Sequence, residues 1–189
     1  GRLELTSVGG FAWGSIEGEN CLVHTRRNGT VRGSLLPHEA SVHVYENVRD
    51  GKRDNLSMEV RLDQRVTTAE ETRQLGIEVG DYVSFDARVE VVNGFVKSRH
   101  LDDKACVANI IMVIKALHDA NLKPAVDTCF LISNYEEVGH GGSSDFPEGL
   151  EELVALDMAA IGDGQASDEY HASICVKDAG GPYHHELSS

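Results

Sequence analysis

Residues 104–133, KACVANIIMVIKALHDANLKPAVDTCFLIS, place a helical pattern of apolar residues directly before a continuous apolar run. Five apolar side chains recur at helical spacing and are expected to form the buried face of this helix: Val107, Ile110, Ile111, Ile114 and Leu117. Pro124 ends the pattern, and the run that follows at residues 125–133 is typical of a strand covered on both faces. Similar runs follow at residues 153–156 and 173–176. This alternation predicts an α/β fold with a mostly parallel sheet.

The first half of the chain has a different pattern, in which short alternating runs are separated by turn signals. Five runs have the composition of strands: residues 22–24, 40–45, 56–60, 82–85 and 89–92. The pairs Asn28-Gly29 and Asn93-Gly94 favour the positive φ angles of tight hairpin turns. One short helix is expected between Thr68, its N-cap, and Gly76, at which it ends.

These two patterns predict two domains with a boundary near residues 93–99. Residues 1–97 are expected to form a small all-β domain, as a barrel or a sandwich. Residues 98–189 are expected to form part of an α/β domain.

The composition excludes several classes of protein. The chain has 189 residues with 17 basic and 31 acidic side chains, and its formal net charge is −14. This charge argues against binding to nucleic acids or to anionic membrane surfaces. No apolar run approaches the roughly 20 residues that a membrane helix needs. The four cysteines are widely spaced in apolar segments, which predicts free thiols in a reducing compartment, the cytoplasm.

Carboxylates occur next to three elements of the predicted α/β layer. Asp102-Asp103 precedes the helix, Glu136-Glu137 follows the run that ends at residue 133, and Asp157 directly follows residues 153–156. Because α/β sheets collect their ligands beyond the carboxyl ends of the strands, we expect these side chains to converge. Together they favour a metal site whose ligands are mainly oxygen.

Each carboxylate pair also has an ordinary interpretation when it is taken alone. Asp102-Asp103 could be a helix cap that interacts with the helix dipole, and Glu136-Glu137 could be a solvated turn. Asp157 is harder to explain in this way, because a carboxylate that continues a buried strand must be paired, hydrogen-bonded or bound to metal.

Several motifs resemble those of the M42 family of co-catalytic zinc aminopeptidases, the glutamyl and tetrahedral aminopeptidase group. The motifs are RHLDDK at residues 99–104, NYEEVG at residues 134–139, ALDM at residues 155–158 and ICVKDAGGPY at residues 174–183. Their order and spacing, and the β-rich region before the Asp-Asp segment, are similar to those of the family over nearly the whole chain.

The resemblance implies a role for each carboxylate. Asp102 would bridge two zinc ions, and its peptide bond to Asp103 would be cis. Glu137 would be a ligand of one zinc ion and Asp157 of the other, while Glu136 would be the general base. The family cofactor would be two divalent ions per subunit, with zinc expected and cobalt or manganese possible.

The resemblance also implies the fold, the substrate and the assembly. The expected fold is a zinc-peptidase-type sheet flanked by helices, with residues 1–97 as an inserted barrel-like domain. The expected substrates are peptides that lose their N-terminal residue. The insert would join subunits into a homo-oligomer, from dimer to dodecamer. Two further histidine ligands are expected outside this sequence, so we interpret the chain as an internal part of a family member.

The substrate pocket has two candidate residues. His140 follows the Glu-Glu pair in a Gly-rich loop, and Lys177 could recognise an acidic substrate side chain. His24 and His43 are interpreted as ordinary sheet residues. The adjacent His184-His185 pair is not expected to share a metal, because neighbouring side chains of an extended segment point in opposite directions.

Two alternatives remain open at this stage. The carboxylates could serve a metal-independent glycoside hydrolase, in which one acts as acid and another as base or nucleophile. The chain could instead be a catalytically incomplete fragment that acts only as an assembly module, through residues 1–97.

Overall fold

The computed structural model describes residues 1–144 and 146–189. The chain divides into two compact units. The first contains Gly1–Arg99 and Ser133–Ser144, and the second contains His100–Ile132 and the described residues from 146 to 189. Among the described residues, no helix combines the length and the hydropathy that a membrane crossing requires.

The first unit is built on a five-stranded antiparallel sheet in the order β1-β4-β3-β2-β5. Its strands are β1 (Arg2–Glu4), β2 (Asn20–Thr25), β3 (Gly29–Pro37), β4 (Met58–Leu62) and β5 (Tyr82–Phe85). A separate hairpin consists of β6 (Glu90–Val92) and β7 (Phe95–Lys97). A 3₁₀ turn at Trp13–Ile16 precedes β2.

One face of the five-stranded sheet carries the core of the first unit. The buried residues that pack together are Ile16, Cys21, Val23, Val31, Leu35, Met58, Val60, Leu62 and Ile77. Several of them alternate along β2 and β3, as expected of strands with one buried face. Gly33 lies where β3 pairs with β4, opposite Leu62, and a Cβ atom there would be 2.8 Å from Val60 Cγ1.

The short-range predictions in this unit are confirmed. Asn28-Gly29 joins β2 to β3, and Asn93-Gly94 joins β6 to β7 with φ angles of 49° and 85°. Helix α1 (Ala69–Gln74) has Thr68 as its N-cap. The Thr68 hydroxyl accepts a hydrogen bond from the Glu71 amide, and the Glu71 carboxylate accepts one from the Thr68 amide. This is a complete capping box.

The prediction of a strand at residues 40–45 is wrong. The segment forms turns, and its side chains Val42 and Val44 are 52% and 70% exposed. Alternating composition produces a strand only when the backbone groups find a paired neighbour, and no described strand pairs with this segment.

The five strands also do not close into a barrel. The sheet is open, with β1 and β5 at its edges, and within the described residues these two strands do not pair with each other. They contain three and four residues, which leaves few backbone groups with which to close a barrel.

The second unit contains helix α2 (Leu101–Asp119), which confirms the predicted helix and extends its start by three residues. The prediction that this helix buries an apolar face is wrong, because no residue of α2 is buried. Ile111 and Ile114, for example, are 54% and 43% exposed. An apolar face is buried only when another layer covers it, and the described residues form no such sheet.

The parallel strands predicted at residues 125–133, 153–156 and 173–176 are absent from the described part of this unit. The strands described in this unit are the two-residue pair β8 (Lys177–Asp178) and β9 (Gly181–Pro182). A parallel strand needs a hydrogen-bonded neighbour brought to it by a crossover, and no such neighbour is found among the described residues. The part of the chain that the structure describes therefore contains no zinc-peptidase-type parallel sheet.

Candidate metal centre

The start of α2 presents two neighbouring carboxylates. Asp102 has φ −82° and ψ 107°, and Asp103 has φ −116° and ψ 36°, so both depart from helical geometry within the first turn. The peptide bond between them is cis. His100 precedes them in the left-handed region, with φ 63°.

Asp157 joins this pair from a distant part of the sequence. One carboxylate oxygen from each of Asp102, Asp103 and Asp157 lies within 4.8 Å of the other two. The Asp157 side chain is oriented locally, because its Oδ1 accepts a hydrogen bond of 2.7 Å from the Met158 amide. The group therefore collects three formal negative charges in a small space, and these charges repel one another.

Burial and this repulsion change the protonation equilibrium of Asp102. Partial burial, followed by the charges of Asp157 and Asp103, raises the pKa of Asp102 above its ordinary value. The neighbouring Cys106 interacts with Asp103, and this interaction, together with burial and the other carboxylates, raises the pKa of the thiol to about 11. Cys106 is therefore neutral at pH 7 and adds no charge to the group.

The donor set fits a divalent cation. Carboxylate oxygens are good ligands for zinc, manganese and similar ions. Oδ1 of Asp103 is buried and has no hydrogen-bond partner among the described residues, and one oxygen of the same carboxylate lies in the group of like charges. A cation would compensate both this unsatisfied oxygen and the mutual repulsion of the three carboxylates.

Glu136 and Glu137 lie in the first unit, in a 3₁₀ turn at Glu136–Val138. Left-handed residues flank the turn: Tyr135 at φ 67° and Gly139 at φ 87°. The Glu137 carbonyl lies close to the Gly9 backbone, where a Cβ atom would be 3.2 Å from it. The geometry thus groups the three aspartates, and the roles of Glu136 and Glu137 stay predictions.

The candidate pocket residues have defined local surroundings. The His140 ring stacks on Tyr135, with ring centroids 5.1 Å apart and planes 19° apart. Lys177 lies in β8 opposite Pro182. The neighbouring Asp178 accepts a 2.6 Å hydrogen bond from the Tyr183 hydroxyl. The substrate-binding roles of His140 and Lys177 stay predictions.

The sequence placed Asp103 next to the expected carboxylate group, as part of the Asp102-Asp103 pair, but gave it no role as a metal ligand. The resemblance assigned it only to the cis peptide bond, whereas its oxygen belongs to the group together with those of Asp102 and Asp157. The available signal was the adjacency of two carboxylates at a helix start.

Comparison with known proteins gives consistent matches. The chain is 50% identical over 188 residues to YhfE, named as an aminopeptidase, of Bacillus subtilis (strain 168). The match covers 99% of this chain and 54% of the relative, so the chain spans about half the length of that protein.

Two solved structures share the fold at low sequence identity. The TET aminopeptidase of the marine sediment archaeon Thaumarchaeota archaeon SCGC AB-539-E09 has a TM-score of 0.54 at 21% identity, covering 65% of this chain and 34% of its own. Aminopeptidase APDkam598 of Desulfurococcus kamchatkensis has a TM-score of 0.51 at 23% identity, covering 61% of this chain and 30% of its own. The family model for M42 glutamyl aminopeptidases matches residues 1–189, and the chain therefore belongs to the M42 peptidase family.

Proposed function

We propose that this chain carries part of the active site of a metal-dependent aminopeptidase that removes N-terminal residues from peptides. The observation that carries the proposal is the convergence of Asp102, Asp103 and Asp157 within 4.8 Å in a member of a peptidase family. Fold alone does not define function, but a family match combined with a suitable donor set supports this assignment.

The proposed metal ligands are Asp102, as a bridge between two ions, together with Asp157 and Glu137. When bound, the two divalent ions polarise the scissile carbonyl and lower the pKa of the attacking water. Zinc is the proposed metal, and cobalt and manganese also suit carboxylate oxygens. Asp103 would add negative charge next to the bridge, because one of its carboxylate oxygens belongs to the same group.

Glu136 is the proposed general base. It would take a proton from the attacking water and pass it to the amine of the leaving peptide. The 3₁₀ turn at Glu136–Val138 supports separate roles for the two glutamates, because successive side chains of such a turn point about 120° apart. One carboxylate can then face a metal ion while the other faces the water.

The proposed assembly is a homo-oligomer, from dimer to dodecamer, formed through residues 1–97 as the insert domain. The hairpin β6–β7 supports this proposal, because Val91, Phe95 and Val96 are 72%, 56% and 56% exposed. Exposed apolar patches of this kind mark association surfaces. Light scattering of Phe95→Lys should show a smaller particle than the wild type, whereas Val79→Lys, at a side chain that is 99% exposed outside the hairpin, should not.

The glycoside hydrolase alternative has no observation in its favour. Family membership does not support it, and it gives no role to three carboxylates that share one small space. A chelator distinguishes the two activities, since a metal-independent hydrolase would not respond to it.

Metal binding by the chain itself tests the proposal directly. Calorimetric titration with Zn²⁺ should show binding by the wild type and a strong loss in Asp102→Asn and in Asp157→Asn. Asp163→Asn is the matched control, because it removes one exposed carboxylate from the same unit outside the group. Equal affinity in all four proteins would overturn the metal site.

A further inference from the structure

A polar cavity lies within the first unit, and none of its lining residues has a role in the proposed peptidase chemistry. It has a volume of about 350 Å³ and is formed by the β2–β3 turn, the end of α1 and the segment that follows α1. We call it the arginine pocket, and its lining residues are Arg26, Arg27, Asn28, Arg73, Gly76 and Glu78.

The backbone around the arginine pocket is fixed by close contacts. In the β2–β3 turn, the Thr25 hydroxyl donates to the Gly29 carbonyl at 2.9 Å and accepts from the Asn28 amide at 2.9 Å. Gly76 has φ +89°, and a Cβ atom there would lie 2.5 Å from Asn28 Nδ2. The turn and the end of α1 therefore touch, so the backbones that carry the three arginines keep a defined separation.

The three arginines differ in their partners. Nε of Arg26 lies 3.9 Å from Oδ1 of Asp81, whose side chain is only 2% exposed, so its charge is partly compensated. Arg27 and Arg73 form no ion pair with any described residue. The pocket is thus lined by three arginines and one acidic residue, Glu78, in a protein with a net charge of −14.

Guanidinium groups bind oxyanions well. Each presents a planar set of donors that matches phosphate oxygens in a bidentate manner, and it keeps its charge at all relevant pH values. The amide of Asn28 adds a neutral donor at the same cavity. A volume of about 350 Å³ falls in the range of small-molecule sites, and a concave site suits a compact anion better than an extended protein segment.

We propose that the arginine pocket binds a small polyanion of the phosphate type, with Arg27 and Arg73 as its main partners. Two uncompensated guanidinium groups on separate elements suit a ligand with two phosphoryl groups, so inorganic pyrophosphate is the probe of choice. None of the residues that line this pocket belongs to the carboxylate group.

The experiment is calorimetric titration of the metal-free full chain with pyrophosphate at low salt. The test protein is the double variant Arg27→Gln/Arg73→Gln. The matched control is Arg49→Gln/Arg65→Gln, which removes the same charge from two exposed arginines of the same unit that also lack ion pairs among the described residues. We expect the test variant to bind about tenfold or more weakly than the wild type, and the control to differ by less than about threefold.

Several outcomes would overturn the proposal. These are no binding of pyrophosphate by the wild type, equal losses in the two double variants, or tighter binding of citrate or of a poly-glutamate peptide than of pyrophosphate. Arg73 also lies in the last turn of α1, where its charge stabilises the helix end. The single variant Arg27→Gln, which changes only the exposed turn, therefore repeats the test without altering the helix and should also bind pyrophosphate more weakly.

Discussion

Nδ1 of His38 lies 2.8 Å from Oε2 of Glu59, a carboxylate with only 6% of its side chain exposed. The other oxygen of Glu59 is 3.1 Å from Arg2 Nη1. Both carboxylate oxygens therefore have a partner, and the contact joins the end of β3 to β4 and β1. A buried charge is tolerated only with such compensation.

Glu59→Ala should lower the free energy of unfolding by about 2 kcal/mol, because it removes a paired buried carboxylate and leaves space in the sheet. Urea unfolding measures this change. The control is Glu90→Ala, which breaks an exposed ion pair with Lys97 and should cost at most about 0.5 kcal/mol. Equal costs at the two sites would contradict a specific role of the buried carboxylate.

Gly33→Ala should destabilise the first unit by about 1–3 kcal/mol. The added Cβ would lie 2.8 Å from Val60 Cγ1 and 2.9 Å from the Arg61 carbonyl oxygen, and the latter belongs to backbone that cannot rotate away. Gly14→Ala is the control, because its Cβ meets nothing within 4 Å. Thermal unfolding should show a lower Tm for Gly33→Ala alone.

Local signals in the sequence predicted local structure well. Asn28-Gly29, Asn93-Gly94 and the Thr68 cap act through contacts with near neighbours, so their effect does not depend on the rest of the fold. The strand predictions for residues 40–45 and 125–133 were wrong because a strand requires a pairing neighbour from elsewhere in the chain. Composition does not show whether that neighbour is present.

The sequence predicted part of the candidate site, and the part that it did not predict depends on backbone geometry and on contacts between distant residues. Asp102 and Asp157 follow from their positions next to predicted elements, and the structure brings their oxygens together with that of Asp103. The membership of Asp103 depends on backbone angles at the start of α2, which no spacing rule describes. The arginine pocket joins residues 26–28 to residues 73–78, a contact between two elements that the sequence did not reveal.

Cys21 should make stability depend on pH in the alkaline range. Burial, and then the charge of Asp63, raises the pKa of its thiol from 9.0 to about 11. The unfolded chain therefore loses this proton at lower pH than the folded chain, so the stability contributed by the neutral thiol is complete below pH 9 and falls as the pH rises from about 9 to about 11. The free energy of unfolding, measured with urea, should fall more steeply over this pH range in the wild type than in Cys21→Ala.

Alkylation gives an independent check of the same thiol. Cys21 is fully buried and Cys129 is exposed, so iodoacetamide at pH 8 should modify Cys129 quickly and Cys21 only after unfolding. Mass spectrometry of the digested protein identifies the modified residue. Modification of Cys21 at the rate of Cys129 in the folded protein would contradict the burial.

Glu136→Gln should abolish most peptide hydrolysis while leaving metal binding intact. A general base contributes about 10²–10⁴-fold to the rate, and glutamine keeps the shape of the side chain but cannot accept the proton. The readout is hydrolysis of amino-acid anilides by the zinc-loaded full-length protein that contains this chain, together with calorimetric zinc affinity. Glu137→Gln should weaken both zinc binding and hydrolysis, because Glu137 is the proposed ligand. If Glu136→Gln kept its turnover, or lost zinc as Glu137→Gln does, the division of roles between the two neighbouring glutamates would be wrong.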